Sequence, residues 1–78
     1  MLYLFENDGR RLRVETRYDR QAGVYVIVTH KPDGTSIRES FAGETTFRSR
    51  LDEINLALER DRWKSLGPPQ IRKDGWWT

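Results

Sequence analysis

The 78-residue chain has no cysteine, one histidine, one methionine and three prolines. Lack of cysteine excludes disulfides, thiolate metal sites and thiol nucleophiles together. A single histidine, His30, leaves no basis for a multi-histidine zinc site, and no cofactor or metal is expected. Long apolar runs are missing too. Met1-Leu2-Tyr3-Leu4-Phe5 stops at Glu6, carries no basic residue and is too short for a signal-peptide core, and no later stretch approaches a membrane span. The expectation is a soluble, cytoplasmic protein without a membrane partner. No Gly-rich phosphate loop, EF-hand spacing or HExxH motif occurs, and no internal repeat or low-complexity tract is visible.

What is present suits one small α+β domain over residues 1–78. Hydrophobic residues make up 36% of the chain and charged residues 33%. At this size, apolar burial and the entropy of ordering the chain nearly cancel, so a partner would stabilise the fold. The net charge is +2, and residues 1–43 and 44–78 each hold seven Lys/Arg and six Asp/Glu, so neither half is a basic arm. Eleven of the fourteen cations are Arg, the cation suited to bidentate phosphate contacts.

Residues 1–41 read as an antiparallel meander of three to four strands. Leu2–Phe5 is a strand closed by Asn7-Asp8-Gly9, a hairpin signal. From Arg10 to Asp19 the residues alternate, with Leu12, Val14, Thr16 and Tyr18 against Arg11, Arg13, Glu15 and Arg17. That is the pattern of a half-buried strand. After the turn at Asp19–Gly23, Val24–Lys31 is apolar on both sides and reads as a central strand. Lys31-Pro32-Asp33-Gly34 fits a type I turn with a glycine bulge, which would pair Thr29 with Ile37 and Tyr25 with Phe41 in the strand Thr35–Phe41. This reading puts Tyr25, Ile27, Ile37 and Phe41 on one face with Arg13 and Arg17, opposite Val14, Val26 and Val28. Arg38 is expected on the side away from the strand-two arginines.

Residues 44–65 read as a helix. Phe47, Leu51, Ile54 and Leu58 recur at helical spacing, with Ala57 beside them, and the stripe is expected to pack on the sheet. Gly43, Thr45 and Thr46 are the candidate N-caps, and Leu66-Gly67-Pro68-Pro69 is the expected stop. Pairs such as Arg48/Asp52 and Glu59/Arg62 describe a solvated helix face. Leu56 and Trp63 lie opposite the core stripe. Residues 67–78 form a tail whose Ile71, Trp76 and Trp77 are available to cover that ridge, a second subunit or another protein.

Two faces carrying apolar side chains and one helix to cover them favour a homodimer. The expected function is a small non-catalytic binding or adaptor module with interface candidates Tyr25, Ile27, Ile37, Phe41, Leu56, Trp63, Trp76 and Trp77, whose partner is a second copy or an unidentified protein. The alternative is a single-stranded nucleic-acid binder using Arg11, Arg13, Arg17 and Tyr25, with cations on phosphates and an aromatic on bases. In element order alone, four strands then a helix, the chain is similar to the coactivator and Whirly types of single-stranded-DNA-binding domain. That likeness implies dimerisation and binding on a sheet surface, and no motif carries over residue by residue. Catalysis would have to centre on His30, with Asp33 or Glu39 as carboxylate and Ser36 as hydroxyl.

Overall fold

Five strands and one helix make up the computed structural model, which describes residues 1–67. The elements run β1 Leu2–Asn7, β2 Arg10–Asp19, β3 Val24–His30, β4 Ser36–Phe41, α1 Glu44–Arg60 and β5 Lys64–Ser65. All pairings are antiparallel, in the order β4-β3-β2-β1-β5. The first four strands form the expected meander, and β5 adds a fifth beyond β1. Nothing in the sequence marks a strand of two residues.

Local chemistry sets the hairpins. Asp8 (φ 52) and Gly9 (φ 78) both adopt left-handed backbone between the paired Asn7 and Arg10, the two-residue type I′ loop whose twist matches the strands. In the β3–β4 turn the Gly34 amide donates to Lys31 O at 3.1 Å and the Lys31 amide to Thr35 O at 2.8 Å. Gly34 sits at φ 90. This is the expected three-residue loop, and Thr29↔Ile37 and Tyr25↔Phe41 pair as it requires.

The β2–β3 register corrects the expected faces. Asp19 pairs with Val24 and Tyr18 with Tyr25, so four residues form the loop. Asp19 Oδ1 accepts from the amides of Gln21 and Ala22, and the Gly23 amide donates to Asp19 O. An even loop sets odd positions of β3 beside even positions of β2. Tyr25, Ile27, Ile37 and Phe41 therefore share a face with Leu12, Val14, Thr16 and Tyr18, not with Arg13 and Arg17. Val26 and Val28 move to the other face.

α1 covers the face that carries Ile27. Phe5, Leu12, Val14, Ile27, Ile54 and Leu58 form the buried core, with Tyr3, Phe41, Phe47, Leu51 and Trp63 packed at its margin. The predicted helix stripe is therefore the packing stripe, although Ala57 is exposed. Gly43 is the N-cap without a side-chain bond.

The helix stops at Arg60, five residues before the expected end. The amides of Arg62 and Trp63 donate to Glu59 O at 3.1 Å and Leu58 O at 2.9 Å, with Arg62 at φ 64. These are the two bonds of a Schellman cap. Its left-handed residue is Arg62, not Gly67. The reversal carries Trp63 out of the helix and back against the core, with the Arg10 guanidinium 5.6 Å from its ring centroid. The expected Leu56/Trp63 ridge does not exist: Leu56 is exposed alone on the helix and Trp63 is half-buried elsewhere. Ile71, Trp76 and Trp77 lie outside the described residues.

Candidate nucleic-acid interface

The helix-free face of the sheet is built by the alternation in β2. Because Leu12, Val14 and Thr16 turn toward α1, Arg11, Arg13, Glu15 and Arg17 turn away, with successive same-face positions about 6.8 Å apart at ~3.4 Å per residue. Cross-strand register adds Leu2, Leu4 and Glu6 from β1, Val26, Val28 and His30 from β3, Ser36, Arg38 and Ser40 from β4, and Lys64 from β5. Leu2 and Val26 are buried and Leu4 and Val28 half-buried, so the face has an apolar floor. Around it Arg11, Arg13, Arg17, Arg38 and Lys64 are exposed.

None of these five cations takes part in an ion pair among the described residues. The acids on the face are Glu6, Glu15 and Asp19. Glu15 Oε1 lies 3.1 Å from His30 Nε2, Asp19 accepts the turn amides, and Glu6 stands opposite Arg11 and Lys64. Of the described arginines elsewhere, Arg10, Arg20, Arg60 and Arg62 likewise form no ion pair, whereas Arg48 and Arg50 of α1 do. Arg50 reaches from α1 to Glu39 at 2.9 Å and to Glu53 at 3.3 Å, and Arg48 pairs with Glu44 at 2.8 Å. The Glu39 hydrogen bond holds the Arg50 guanidinium even more firmly protonated than usual, despite slight burial. Arg48 thus pairs toward the helix N-terminus, not with Asp52 as expected.

Three of the sequence-derived residues, Arg11, Arg13 and Arg17, are brought together, and Arg38 joins them where it was expected to oppose them. Lys64 was missed because β5 has no sequence signal. Tyr25 is not part of the face. It stacks on Phe47 under the helix, ring centroids 5.0 Å apart at 21°, and touches Tyr18 edge-on at 4.9 Å. No Phe, Tyr or Trp side chain stands on the helix-free face among the described residues, so the face offers charge and apolar contact without a large stacking platform.

His30 lies at the rim of the same face. Its Nδ1 is 3.0 Å from Ser36 Oγ and its Nε2 is 3.1 Å from Glu15 Oε1. Nε2 is closed off from solvent and lies against the carboxylate without an aligned hydrogen bond. The carboxylate beside His30 is Glu15 and neither of the two expected. Asp33 is occupied by the Thr35 amide at 2.9 Å and hydroxyl at 2.6 Å, and Glu39 projects to the helix side. Ser36 is exposed on an edge strand, where nothing excludes water from an attacking hydroxyl.

No helix of the described residues is long and apolar enough to cross a membrane. Comparison of the chain with protein-family models, curated proteins and solved structures finds no match.

Proposed function

We propose that the chain is a small non-catalytic binding module whose working surface is the helix-free face of the sheet, and that its ligand is a nucleic-acid strand held by its phosphates. One observation carries this reading. Arg11, Arg13, Arg17, Arg38 and Lys64 are exposed on one face and unpaired among the described residues, while the guanidinium groups of Arg48 and Arg50 are held by carboxylates. Unpaired arginines on a rigid sheet bind phosphate oxygens without first breaking an internal ion pair. Contacts to phosphate oxygens carry no sequence information, so the binding is sequence-neutral.

The test is fluorescence anisotropy of labelled single- and double-stranded oligonucleotides titrated with the protein at several salt concentrations. About four phosphate contacts on a single strand give a log–log salt slope near −3. Tyrosine fluorescence should change little, because Tyr25 lies under the helix. Absence of binding to either oligonucleotide at low salt overturns the reading. Equal binding to polyglutamate would replace it with an acidic protein partner.

A further inference from the structure

The two edges of the sheet are finished differently. At one end, the chain's own Lys64–Ser65 pairs with Phe5 and Glu6, and the Leu66 amide donates to Leu4 O at 2.8 Å. At the other end β4, Ser36–Phe41, has no strand beyond it among the described residues. The phase of its free groups follows from the turn. Lys31 and Thr35 are a hydrogen-bonded pair, and such pairs alternate along an antiparallel ladder. Ile37, Glu39 and Phe41 therefore direct their backbone groups to β3, while Ser36, Arg38 and Ser40 direct theirs to the open edge. The strand carries no proline, bulge or lysine, and of its two charges, Arg38 lies on the helix-free face and Glu39 is already paired by Arg50. Ile37 is 45% exposed beside it.

We propose that a second copy of this chain occupies that edge, with the two β4 strands pairing antiparallel into one continuous sheet. A two-fold axis normal to the sheet keeps each face on its own side, so opposed residues must have the same parity. The register that sets Ile37 against the second copy's Phe41 also makes Arg38 and Ser40 hydrogen-bonded partners. It brings Glu39 to the axis, where each carboxylate is already held by its own Arg50. Shifting by one step one way would oppose the two Arg38 guanidinium groups, a like-charge pair, and the other way would leave only residues 39–41 of β4 paired. Five paired residues bury less than the roughly 800 Å² per partner of a standard interface, so the dimer forms and dissociates with concentration. As a deepening of the binding reading, on which only this consequence rests, pairing joins the helix-free faces of both copies. The exposed arginines then form one surface twice as wide.

Sedimentation equilibrium across a wide concentration range tests the pairing, with Ser40→Pro as the variant. Proline at 40 removes an outward amide, leaves the β3 ladder intact and changes no charge. The expected result is a monomer–dimer equilibrium in the unmodified chain and a monomer throughout for Ser40→Pro. In the unmodified chain, exchange at the Arg38 and Ser40 amides should slow about tenfold from dilute to concentrated solution. That measurement decides the matter if the proline variant fails to fold. A monomer at every concentration, or a dimer in which those amides stay unprotected, overturns the proposal. Oligonucleotide binding by a strict monomer would still support the binding face, so the two readings fail separately.

Discussion

Phe47 of α1 stacks on Tyr25 of β3, and the same ring meets Phe41 of β4 at 6.3 Å. One helical side chain thus fixes which face of the β3–β4 hairpin is inside. A slip of one residue at either strand would withdraw Tyr25 and Phe41 from Phe47 and present Val26 and Ser40. Phe47 is half-buried, so Phe47→Ala should cost about 2–3 kcal/mol, below the ~3–5 kcal/mol of a fully buried ring. Denaturant unfolding followed by circular dichroism measures it. A loss under about 0.5 kcal/mol would mean that the aromatic stack does not anchor the helix.

The cap of α1 gives a prediction of opposite sign. Arg62 adopts φ 64, a conformation that costs an L-residue about 1–2 kcal/mol and glycine almost nothing. Glycine's extra freedom in the unfolded chain offsets part of that gain. Arg62→Gly should therefore raise stability by about 0.5–1 kcal/mol, seen as a higher denaturant midpoint with an unchanged slope. Gly9→Ala should lower stability by about 1 kcal/mol. No atom outside the neighbouring residues lies within 4 Å of the added methyl group, so that loss is one of backbone strain alone.

Asp33 carries the pH dependence of the β3–β4 turn. The Thr35 hydroxyl and then the Thr35 amide hold its carboxyl below the usual 3.8, against some desolvation and with a still smaller contribution from Lys31. A carboxyl whose folded pKa is depressed stabilises the fold above its unfolded pKa. That contribution fades as pH falls below about 3.8 and through the folded value. Carbon-detected NMR titration should find the Asp33 midpoint below those of model aspartates, and Thr35→Val should move it upward. An unmoved midpoint in Thr35→Val would show that the 2.6 Å hydroxyl contact does not persist in solution.

The contrast between the hairpins explains what could be read from the sequence. Asn7-Asp8-Gly9 and Pro32-Asp33-Gly34 each favour one loop length, because glycine and proline restrict the backbone choices. The first reads as a hairpin turn and the second as a turn with its register, Thr29 with Ile37 and Tyr25 with Phe41, which the structure has. Asp19-Arg20-Gln21-Ala22-Gly23 admits loops of either parity, and parity decides every side chain's face. A further signal was available: setting Leu12 and Val14 on one face with Tyr25 and Ile27 gathers the most apolar positions, and only an even loop allows it. The helix stripe was readable from its spacing, but its end was not. The Schellman cap uses an arginine where glycine is the usual marker, and β5 depends on that reversal to reach β1. The arginines of the candidate face were visible as an alternating run, whereas Arg38 depended on the same parity as Tyr25.

Removing one guanidinium at a time separates the sheet face from the scaffold. Arg50 joins α1 to β4 through Glu39, with its side chain 41% exposed and that of Glu39 27% exposed. Solvent screening limits such a bridge to about 0.5–1 kcal/mol, so Arg50→Ala should lose that much stability and leave oligonucleotide affinity unchanged. Arg17 is exposed and has no ion-pair partner among the described residues. Arg17→Ala should therefore change stability by less than about 0.5 kcal/mol. If Arg17 holds a phosphate of a single strand, its loss should flatten the log–log salt slope by about 0.7. Both variants are compared by denaturant unfolding and by anisotropy at matched salt. Equal affinity losses from Arg17→Ala and Arg50→Ala would mean that binding follows overall charge, and the helix-free face would lose its claim to be the site.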